Sequence, residues 1–383
     1  MKILMLTGRF LPTVGGAQVH VEKISSRLRN MGNDVMIIAE KKPLKLRWKE
    51  IVNGIMVYRA PIRAFRYILS PTYLFLSIFE CLKFNPDMIH AHFAFPPGLV
   101  ALILGKIFRK PSIVTVHGVD ILRDSETKYG MRLNPLLDLA IKFVLKRVTY
   151  VIACSKFVRK EVERCGVRKE KVKVINNGID EIDRKLLLAK SKCQQFRKEL
   201  DLPNDYKILF TVGRLIPKRG IHYLVRSMKR VAERRSDVLL IVAGDGPQFK
   251  ELVKMTEKMK LEKTVRFVGE VDNLQLEKMY IASDIVVLPS LIEAFGITVL
   301  ESMAYMKPLV AFDSGGPSEV ISENEIGFVV ENRSIDELAE KILELTKSPT
   351  LLKEFSSNCQ KNIRKYDWDK IADQIRQLYD SLP

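Results

Sequence analysis

Short apolar runs rich in β-branched residues recur along the chain, separated by stretches in which apolar residues repeat at helical spacing. In the first half these runs lie at 2–7, 35–39, 88–92, 112–117 and 150–154. Continuous apolar runs of this length are typical of strands that are buried on both faces of a parallel sheet. The helical repeat that begins at Val21 stops at Gly32, a C-cap signal. This alternation predicts an α/β fold.

The second half repeats the scheme, so the chain is predicted to form two Rossmann-like doubly wound domains. Its strands are predicted at 207–212, 238–243, 265–268, 284–288, 308–312 and 327–330, with helices near 220–234, 248–259, 273–282 and 296–305. A boundary after the turn Asn176-Asn177-Gly178 gives domains of residues 1–180 and 181–365. A final helix at about 366–383 is expected to pack back on the first domain. If the carboxyl ends of both sheets meet, ligands bind in a central cleft between the domains.

The two halves of the chain differ in their net charge. Residues 1–180 hold 31 Lys and Arg against 14 Asp and Glu, whereas residues 181–383 hold 32 against 31. The first half therefore carries nearly all of the formal net charge of +18 and is expected to attract anions. No uncharged run is long enough for a membrane span, and the first residues lack the pattern of a signal peptide. We expect a cytoplasmic protein that meets a membrane, if at all, at its inner face.

Glycine-rich turns follow several predicted strands. Gly15 and Gly16 precede the first predicted helix, where free backbone amides can receive an anion, although the same pair also suits a turn without a ligand. In the second half, Gly213-Arg214 ends a strand and Lys218 follows before a helix, so that cations and free amides suit a diphosphate. Gly244 lies in a further turn of this kind. Each of these turns is modest evidence alone.

The sharpest signal is a pair of glutamates eight residues apart. Glu293 stands just before a predicted helix and Glu301 lies two turns inside it. Amides around Phe295, Gly296 and Ile297 at the helix start suit a phosphate. A carboxylate at position 301 can accept hydrogen bonds from both hydroxyls of a ribose, as acidic residues do in dinucleotide folds.

This set of motifs, in this order along nearly the whole chain, resembles the retaining GT-B glycosyltransferases of family 4, a class that includes phosphatidylinositol mannosyltransferases and sucrose-phosphate synthases. The resemblance implies that Arg214 and Lys218 hold the donor diphosphate and that Glu301 holds the ribose. It implies that Glu293 contacts the donor sugar, that Gly16 contacts a phosphate, and that His117 in Thr115-Val116-His117-Gly118 is the active-site histidine. Without the family, a histidine at a strand end such as His117 is more often a structural residue.

The resemblance also implies an enzyme that uses a nucleoside diphosphate sugar, UDP- or GDP-linked, without a metal or other cofactor. His90 and His92 share one face of a predicted strand, but no third ligand is evident and a buried strand explains them better. We therefore assign no metal site.

A cationic segment between Lys41 and Arg66 indicates a second kind of partner. Its cations outnumber its single acid, Glu50, and an uncharged aromatic stretch at 67–79 follows it. Cations beside apolar side chains suit an anionic membrane surface or a lipid-linked acceptor. The alternative is that residues 67–79 pack in the core and that the cations form a solvated charged face. The residues singled out for this role are Lys45, Arg47, Trp48, Arg59, Arg63 and Arg66.

Two other classes of function compete with a transferase. The basic half alone favours a nucleic-acid-binding protein, but no recognition motif supports that assignment. An epimerase or a non-catalytic nucleotide-sugar binder of the same fold would share the donor motifs. The expected function is thus transfer of a sugar from a nucleotide to an acceptor, either a membrane lipid or a lipid-linked glycan.

Overall fold

In a computed structural model of the protein, which describes residues 1–13, 15–41, 45–61 and 70–382, the chain divides into two compact units. The N-terminal unit comprises Met1–Gly178 and Trp368–Pro383, and the C-terminal unit comprises Ile179–Asp367. Each unit is built around its own parallel sheet.

The N-terminal unit alternates strands and helices along most of its length. Its strands are β1 (Lys2–Leu6), β2 (Asp34–Glu40), β3 (Lys49–Val52), β4 (Ile55–Ala60), β5 (Met88–His92), β6 (Ser112–Val116), β7 (Tyr150–Ala153) and β8 (Val172–Val174). Its first helices are α1 (Gly16–Asn30), α2 (Pro71–Phe84), α3 (Pro97–Phe108), α4 (Pro135–Arg147) and α5 (Lys156–Arg164).

The sheet of this unit has the order β3-β4-β2-β1-β5-β6-β7-β8. All neighbouring strands are parallel except β3, which pairs antiparallel with β4 and forms one edge. The order reverses between β1 and β5, where chain connections leave on opposite sides of the sheet. In open α/β sheets, ligands bind outside the carboxyl ends of the strands at such a point.

The C-terminal unit has six further strands and nine helices within the described residues. The strands are β9 (Lys207–Val212), β10 (Val238–Ala243), β11 (Val265–Gly269), β12 (Ile285–Leu288), β13 (Leu309–Phe312) and β14 (Gly327–Val330). The helices are α6 (Ile182–Ser191), α7 (Cys193–Glu199), α8 (Ile221–Arg234), α9 (Phe249–Lys258), α10 (Asn273–Ala282), α11 (Ile297–Ala304), α12 (Gly316–Asn324), α13 (Ile335–Lys347) and α14 (Pro349–Asn362).

Its strand order, β11-β10-β9-β12-β13-β14, is that of a dinucleotide-binding sheet, and every pair is parallel. The order reverses between β9 and β12. The loops that follow these two strands contain Arg214, Lys218 and Glu293. The fold therefore brings the sharpest sequence motifs to one edge of one sheet.

A last helix, α15 (Trp368–Asp380), belongs to the N-terminal unit. Its buried face, which includes Ile371 and Ile375, joins the same core as Val21 and Ile24 of α1. The chain returns at Trp368, whose ring lies against Gly178, where an added Cβ would approach ring carbons to 2.6 Å. Only glycine leaves room for the indole at that crossing.

Every strand predicted from an apolar run is present, and no end differs from the prediction by more than one residue. The hairpin β3–β4 was not predicted, because charged residues interrupt its apolar residues. Helix α2 was not predicted, because its apolar residues form a run without a helical repeat. Across the described ranges, no helix has both the length and the apolar character needed to cross a bilayer.

Candidate functional site

Two loops of the C-terminal unit meet at the point where its strand order reverses. The loop after β9 contains a short 3₁₀ turn, Pro217–Arg219, and the loop after β12 contains Leu291. The amide of Leu291 donates to the carbonyl of Lys218 at 2.8 Å, which ties the two loops together. Backbone bonding therefore fixes the position of the cations relative to the acidic loop.

Glu293 is held on both sides by the loop that follows β13. Its amide donates to the Ser314 carbonyl at 2.9 Å, and its carbonyl accepts from the Gly316 amide at 3.1 Å. Gly316 is needed here because a Cβ at this position would lie 2.0 Å from the Ala294 carbonyl oxygen. The close approach of the two loops sets the direction of the Glu293 side chain.

Two cations face the Glu293 carboxylate. Arg219 Nη1 donates to Glu293 Oε2 at 2.7 Å and lies 3.3 Å from the Ser290 hydroxyl. Lys218 Nζ is 3.8 Å from the same carboxylate oxygen. Burial raises the pKa of the Glu293 carboxyl, but Arg219 and Lys218 outweigh burial and hold that pKa below its usual range. The cluster carries two positive charges against one negative charge.

Lys218 itself is partly desolvated. Burial lowers its pKa, while Glu293 acts in the opposite direction and raises it. Taking charged groups out of water strengthens their interaction with an incoming anion. A diphosphate that reaches this cluster meets two cations and the amides at the start of α11.

Arg214 and Gly213 lie on the approach to the cluster. Arg214 is exposed to solvent. Gly213 donates from its amide to the Ala243 carbonyl at 3.0 Å. Gly244 has a φ of 125°, and a Cβ there would lie 2.1 Å from the Gly213 carbonyl oxygen. These glycines let the β9 and β10 loops lie in backbone contact.

The helix that begins after the acidic loop contains Glu301. Residues Phe295 and Gly296 precede it, Ile297 opens it, and Gly296 is its N-cap with a φ of 80°. Glu301 lies on the same helix, and its Oε2 accepts a hydrogen bond from the Tyr280 hydroxyl at 2.7 Å. Both side chains line a cavity of about 450 Å³, and Glu301 Oε1 remains to accept from a ligand.

Burial raises the pKa of the Glu301 carboxyl, and the bond from Tyr280 lowers it. The charges of Lys185 and Arg219 also lower that pKa. The charge of Arg219 thus lowers the pKa of both Glu293 and Glu301.

The N-terminal unit contains a separate cluster of histidines. His117 follows β6, and its Nε2 is 3.1 Å from Nδ1 of His92, the last residue of β5. The two rings stack at 5.4 Å, and His20 of α1 meets the His117 ring edge-on at 5.1 Å. Burial and the charges of His20 and His90 hold the pKa of His117 well below its usual range. The ring is therefore a neutral hydrogen-bonding group.

Asp120 fixes the loop that carries His117. Its carboxylate accepts from the amides of His117 at 3.0 Å, Gly118 at 3.1 Å and Ala94 at 2.8 Å. These bonds join the loops after β5 and β6, the strands on one side of the point where the sheet order reverses. Asp120 was not predicted as a site residue, although it stands three positions after His117 in a strand-end turn.

The strand prediction for His90 and His92 is confirmed, because both are fully buried in β5. His90 Nδ1 lies 2.5 Å from the Tyr379 hydroxyl, and its Nε2 lies 2.7 Å from the Thr115 hydroxyl. Over the residues that the structure describes, no group of three or more His, Cys, Asp or Glu side chains is placed to hold a metal ion.

Gly15 and Gly16 lie at the start of α1, where Gly15 is the N-cap and makes no side-chain capping bond. No acidic residue occupies the first turn. The helix therefore offers its first amides and the positive end of its dipole without an internal anion.

The structure corrects part of the cationic-segment prediction. Arg59, predicted to face a membrane or an acceptor, is 1% exposed in β4 and donates through Nε to Glu50 Oε1 at 2.9 Å. Its position in a strand between β2 and β3 buries it, so it is not part of a surface. Lys45, Arg47 and Trp48 are exposed, whereas Arg63 and Arg66 lie outside the described residues.

Two residues of the C-terminal site were missed at the level of sequence. Arg219 directly follows Lys218, and only the turn geometry shows that it is Arg219 that bonds Glu293. Tyr280 lies 21 residues before Glu301, with no pattern that connects them. The adjacent basic pair before Gly220 was the only available signal for Arg219.

Two family models cover most of the chain. The model described as Glycosyltransferase Family 4 matches residues 14–182, and the model described as Glycosyl transferases group 1 matches residues 193–366. An uncharacterized glycosyltransferase of Methanocaldococcus jannaschii is 29% identical over 401 residues, covering 99% of this chain and 98% of the relative.

The chain is also similar to a yeast protein and to a bacterial structure. The phosphatidylinositol N-acetylglucosaminyltransferase GPI3 subunit of Saccharomyces cerevisiae is 27% identical over 397 residues, covering 99% of this chain and 83% of the relative. The crystal structure of Anabaena Alr3699/HepE in complex with UDP aligns with a TM-score of 0.82 at 23% identity over the whole of both chains. At that identity the structural match shows a shared fold.

Proposed function

The chain belongs to the family 4 glycosyltransferases of the GT-B fold. We propose that it transfers a sugar from a nucleoside diphosphate sugar to a lipid or lipid-linked acceptor. The proposed transfer retains the configuration of the sugar and needs no metal ion. The observation that carries the proposal is that Arg219 and Lys218 both face the Glu293 carboxylate. Glu301, the candidate for binding the ribose, follows Glu293 by eight residues. UDP in the HepE complex supports a nucleotide donor, and the name of the yeast relative supports a lipid acceptor.

In the proposed reaction, the bond between the sugar C1 and the β-phosphate oxygen breaks, and negative charge builds on the departing diphosphate. Three cations and the amides at the start of α11 would stabilise that charge more in the transition state than in the ground state. The cations are Arg214, Lys218 and Arg219. Cations already in place can supply the role that a metal ion plays in other transferases. These groups are the source of the proposed metal independence.

Glu293 is ionised and paired, because its pKa is held low by Arg219 and Lys218. A carboxylate engaged in this way is better suited to accept hydrogen bonds from sugar hydroxyls than to attack C1. We therefore propose that the acceptor hydroxyl attacks from the face that the diphosphate leaves, and that the leaving phosphate takes the acceptor proton. We keep His117, neutral and held by Asp120, as the candidate active-site histidine that the family resemblance implies.

The test is a transfer assay with radiolabelled UDP- and GDP-sugars and a membrane lipid extract as acceptor, run in parallel without EDTA, with EDTA, and with EDTA followed by excess Mg²⁺. We expect label in the lipid fraction with one donor, and an α-linked product from an α-linked donor by NMR. Label that is recovered only as free sugar or as an epimerised nucleotide sugar would contradict the proposal. Activity that EDTA abolishes and Mg²⁺ restores would contradict metal independence alone.

A further inference from the structure

Helices α2 and α4 turn apolar side chains outward. On α2, Phe75, Phe79 and Leu82 are exposed and follow one another at helical spacing. On α4, Leu136, Leu139 and Phe143 are exposed in the same way. Residues spaced by three, four and seven positions share one face of a helix. We call these six residues the outer apolar face.

Helix α2 buries polar residues beside Tyr73 and Cys81 and exposes two phenylalanines. Its buried positions include Ser77 and Glu80, which are 0% and 3% exposed, while Phe75 is 69% exposed. A helix that only covered a sheet would bury its aromatic residues and expose its polar ones. Among the described residues, Phe75, Phe79 and Leu82 of this helix therefore lie outside the core.

The two helices belong to one layer. Helix α2 packs against α3, and α3 packs against α4. Ile107 of α3 is also exposed, so an apolar side chain lies on the helix between them. Large apolar side chains exposed together on neighbouring helices of a folded protein are typical of an interaction site.

Cations accompany this apolar surface. Lys83 Nζ lies 4.0 Å from the centroid of the Phe79 ring, and the Arg147 guanidinium lies 3.9 Å from the centroid of the Phe143 ring. Within α2, α3 and α4, every exposed charged side chain is a cation, the others being Lys106 and Lys146. The acids on these helices, Glu80 and Asp138, are not exposed.

We infer that the outer apolar face docks on an anionic membrane surface, with its aromatic and leucine side chains in the interface and the adjacent cations among the lipid headgroups. Apolar insertion and attraction of each Lys or Arg to anionic lipid add together at such a surface. A protein partner would need acidic groups around an apolar surface, whereas a membrane of anionic lipid supplies both in one layer. The inference goes beyond the donor site, since no residue of that site takes part.

The test is co-sedimentation of the full chain with vesicles of phosphatidylcholine alone and with vesicles that contain about 30% phosphatidylglycerol, at about 0.1 M and about 0.5 M NaCl. We expect binding to the anionic vesicles and weaker binding at the higher salt. The variants Phe75→Ser/Phe79→Ser and Leu139→Ser/Phe143→Ser should each weaken binding by roughly tenfold or more. Lys83→Gln/Arg147→Gln should weaken it mainly at low salt.

Matched variants lie in the C-terminal unit. Leu187 is 66% exposed, like Leu139 at 67%, so Leu187→Ser/Leu274→Ser removes equal apolar surface elsewhere. Lys254→Gln/Lys361→Gln removes two exposed cations away from the face. Both controls should bind vesicles as the wild type does, and all variants should keep the wild-type melting temperature.

Failure of the wild type to bind anionic vesicles, or unchanged binding of both apolar double variants, would overturn the inference. Sedimentation velocity provides a further check. A dimer that Leu139→Ser/Phe143→Ser dissolves would mean that a second copy, rather than a membrane, covers the face. Donor binding by calorimetry is independent of every one of these outcomes, so a failure here leaves the proposed transferase activity standing.

Discussion

Arg219 donates from Nη1 to Glu293 Oε2 at 2.7 Å, closer to that carboxylate than Lys218, whose Nζ is 3.8 Å away. The pair joins the loops after β9 and β12. Arg219 thus holds the carboxylate proposed to meet the sugar, while its remaining guanidinium donors are available to an anion. We therefore propose that Arg219, together with Lys218, binds the donor diphosphate.

The first prediction concerns these cations. Arg219→Gln and Lys218→Gln should each raise the donor Kd by roughly tenfold to a hundredfold, because each removes a charge-assisted contact to the diphosphate. Arg219→Gln should also lower kcat, since it releases Glu293. Calorimetry and steady-state kinetics measure the two effects. Arg226→Gln, an exposed cation on α8, is the matched control and should change neither. Donor affinity that survives both site variants would remove the cluster from the mechanism.

The second prediction concerns Tyr280, which donates to Glu301 Oε2. Tyr280→Phe should raise the donor KM about threefold to tenfold with little change in kcat, because the carboxylate loses its orienting bond. That bond lowers the pKa of Glu301, so its loss should move the acid limit of donor binding to higher pH. Tyr305 stacks its ring on Tyr280 but donates its hydroxyl to Glu277. The control variant Tyr305→Phe should therefore leave the acid limit of donor binding unchanged.

Three fully buried histidines predict how stability depends on pH. Burial lowers the pKa of His20 to about 4 and that of His90 to about 3, and it holds the pKa of His92 well below its usual range. The unfolded chain binds protons at these residues near pH 6.5, whereas the folded chain binds them only at lower pH. The free energy of unfolding should therefore fall as the pH drops from 7 to 5.

Each of these histidines contributes up to about 1.4 kcal/mol per pH unit in that window. Denaturant titrations at pH 7, 6 and 5 measure the slope. His90→Gln should reduce the slope by about one proton, whatever its effect on stability at pH 7. A free energy of unfolding that stays constant from pH 7 to pH 5 would show that the histidines are not buried as neutral groups.

The ion pair between the buried Arg59 and the partly exposed Glu50 gives a prediction for the N-terminal unit. Glu50→Gln should lower the free energy of unfolding by about 3 kcal/mol, because the Arg59 guanidinium stays buried without its counter-charge. Glu262→Gln, at an exposed acid of the other unit, should cost no more than about 0.5 kcal/mol. A neutral Glu50→Gln substitution would mean that Arg59 reaches water and that its assignment to a surface should be restored.

The fold was largely predictable because buried parallel strands are continuous apolar runs that need no tertiary information. The hairpin β3–β4 was not, since Lys49, Glu50 and Arg59 interrupt its apolar pattern at a sheet edge. Charge counting placed Arg59 on a surface because the sequence does not show that Glu50 pairs with it across two antiparallel strands.

The donor-site loops were predictable from their glycines and charges, but the contacts within them were not. Whether Lys218 or Arg219 bonds Glu293 depends on the turn that both occupy.

The aromatic residues after the cationic segment likewise lie in two different environments, which the sequence does not distinguish. Tyr73 is buried, with its hydroxyl donating to the Thr7 and Ile38 carbonyls, whereas Phe75 and Phe79 are exposed.

The most direct test of the central claim is a thermal titration of the wild type, Lys218→Ala, Arg219→Gln and Glu301→Gln with UDP, GDP, ADP and their sugar conjugates in EDTA. A ligand that binds only the folded chain raises its melting temperature. The account predicts that one nucleotide series stabilises the wild type and that each variant loses most of that shift. Absence of stabilisation by every nucleotide, or an undiminished shift in all three variants, would contradict a nucleotide-sugar site at Arg219, Lys218 and Glu301.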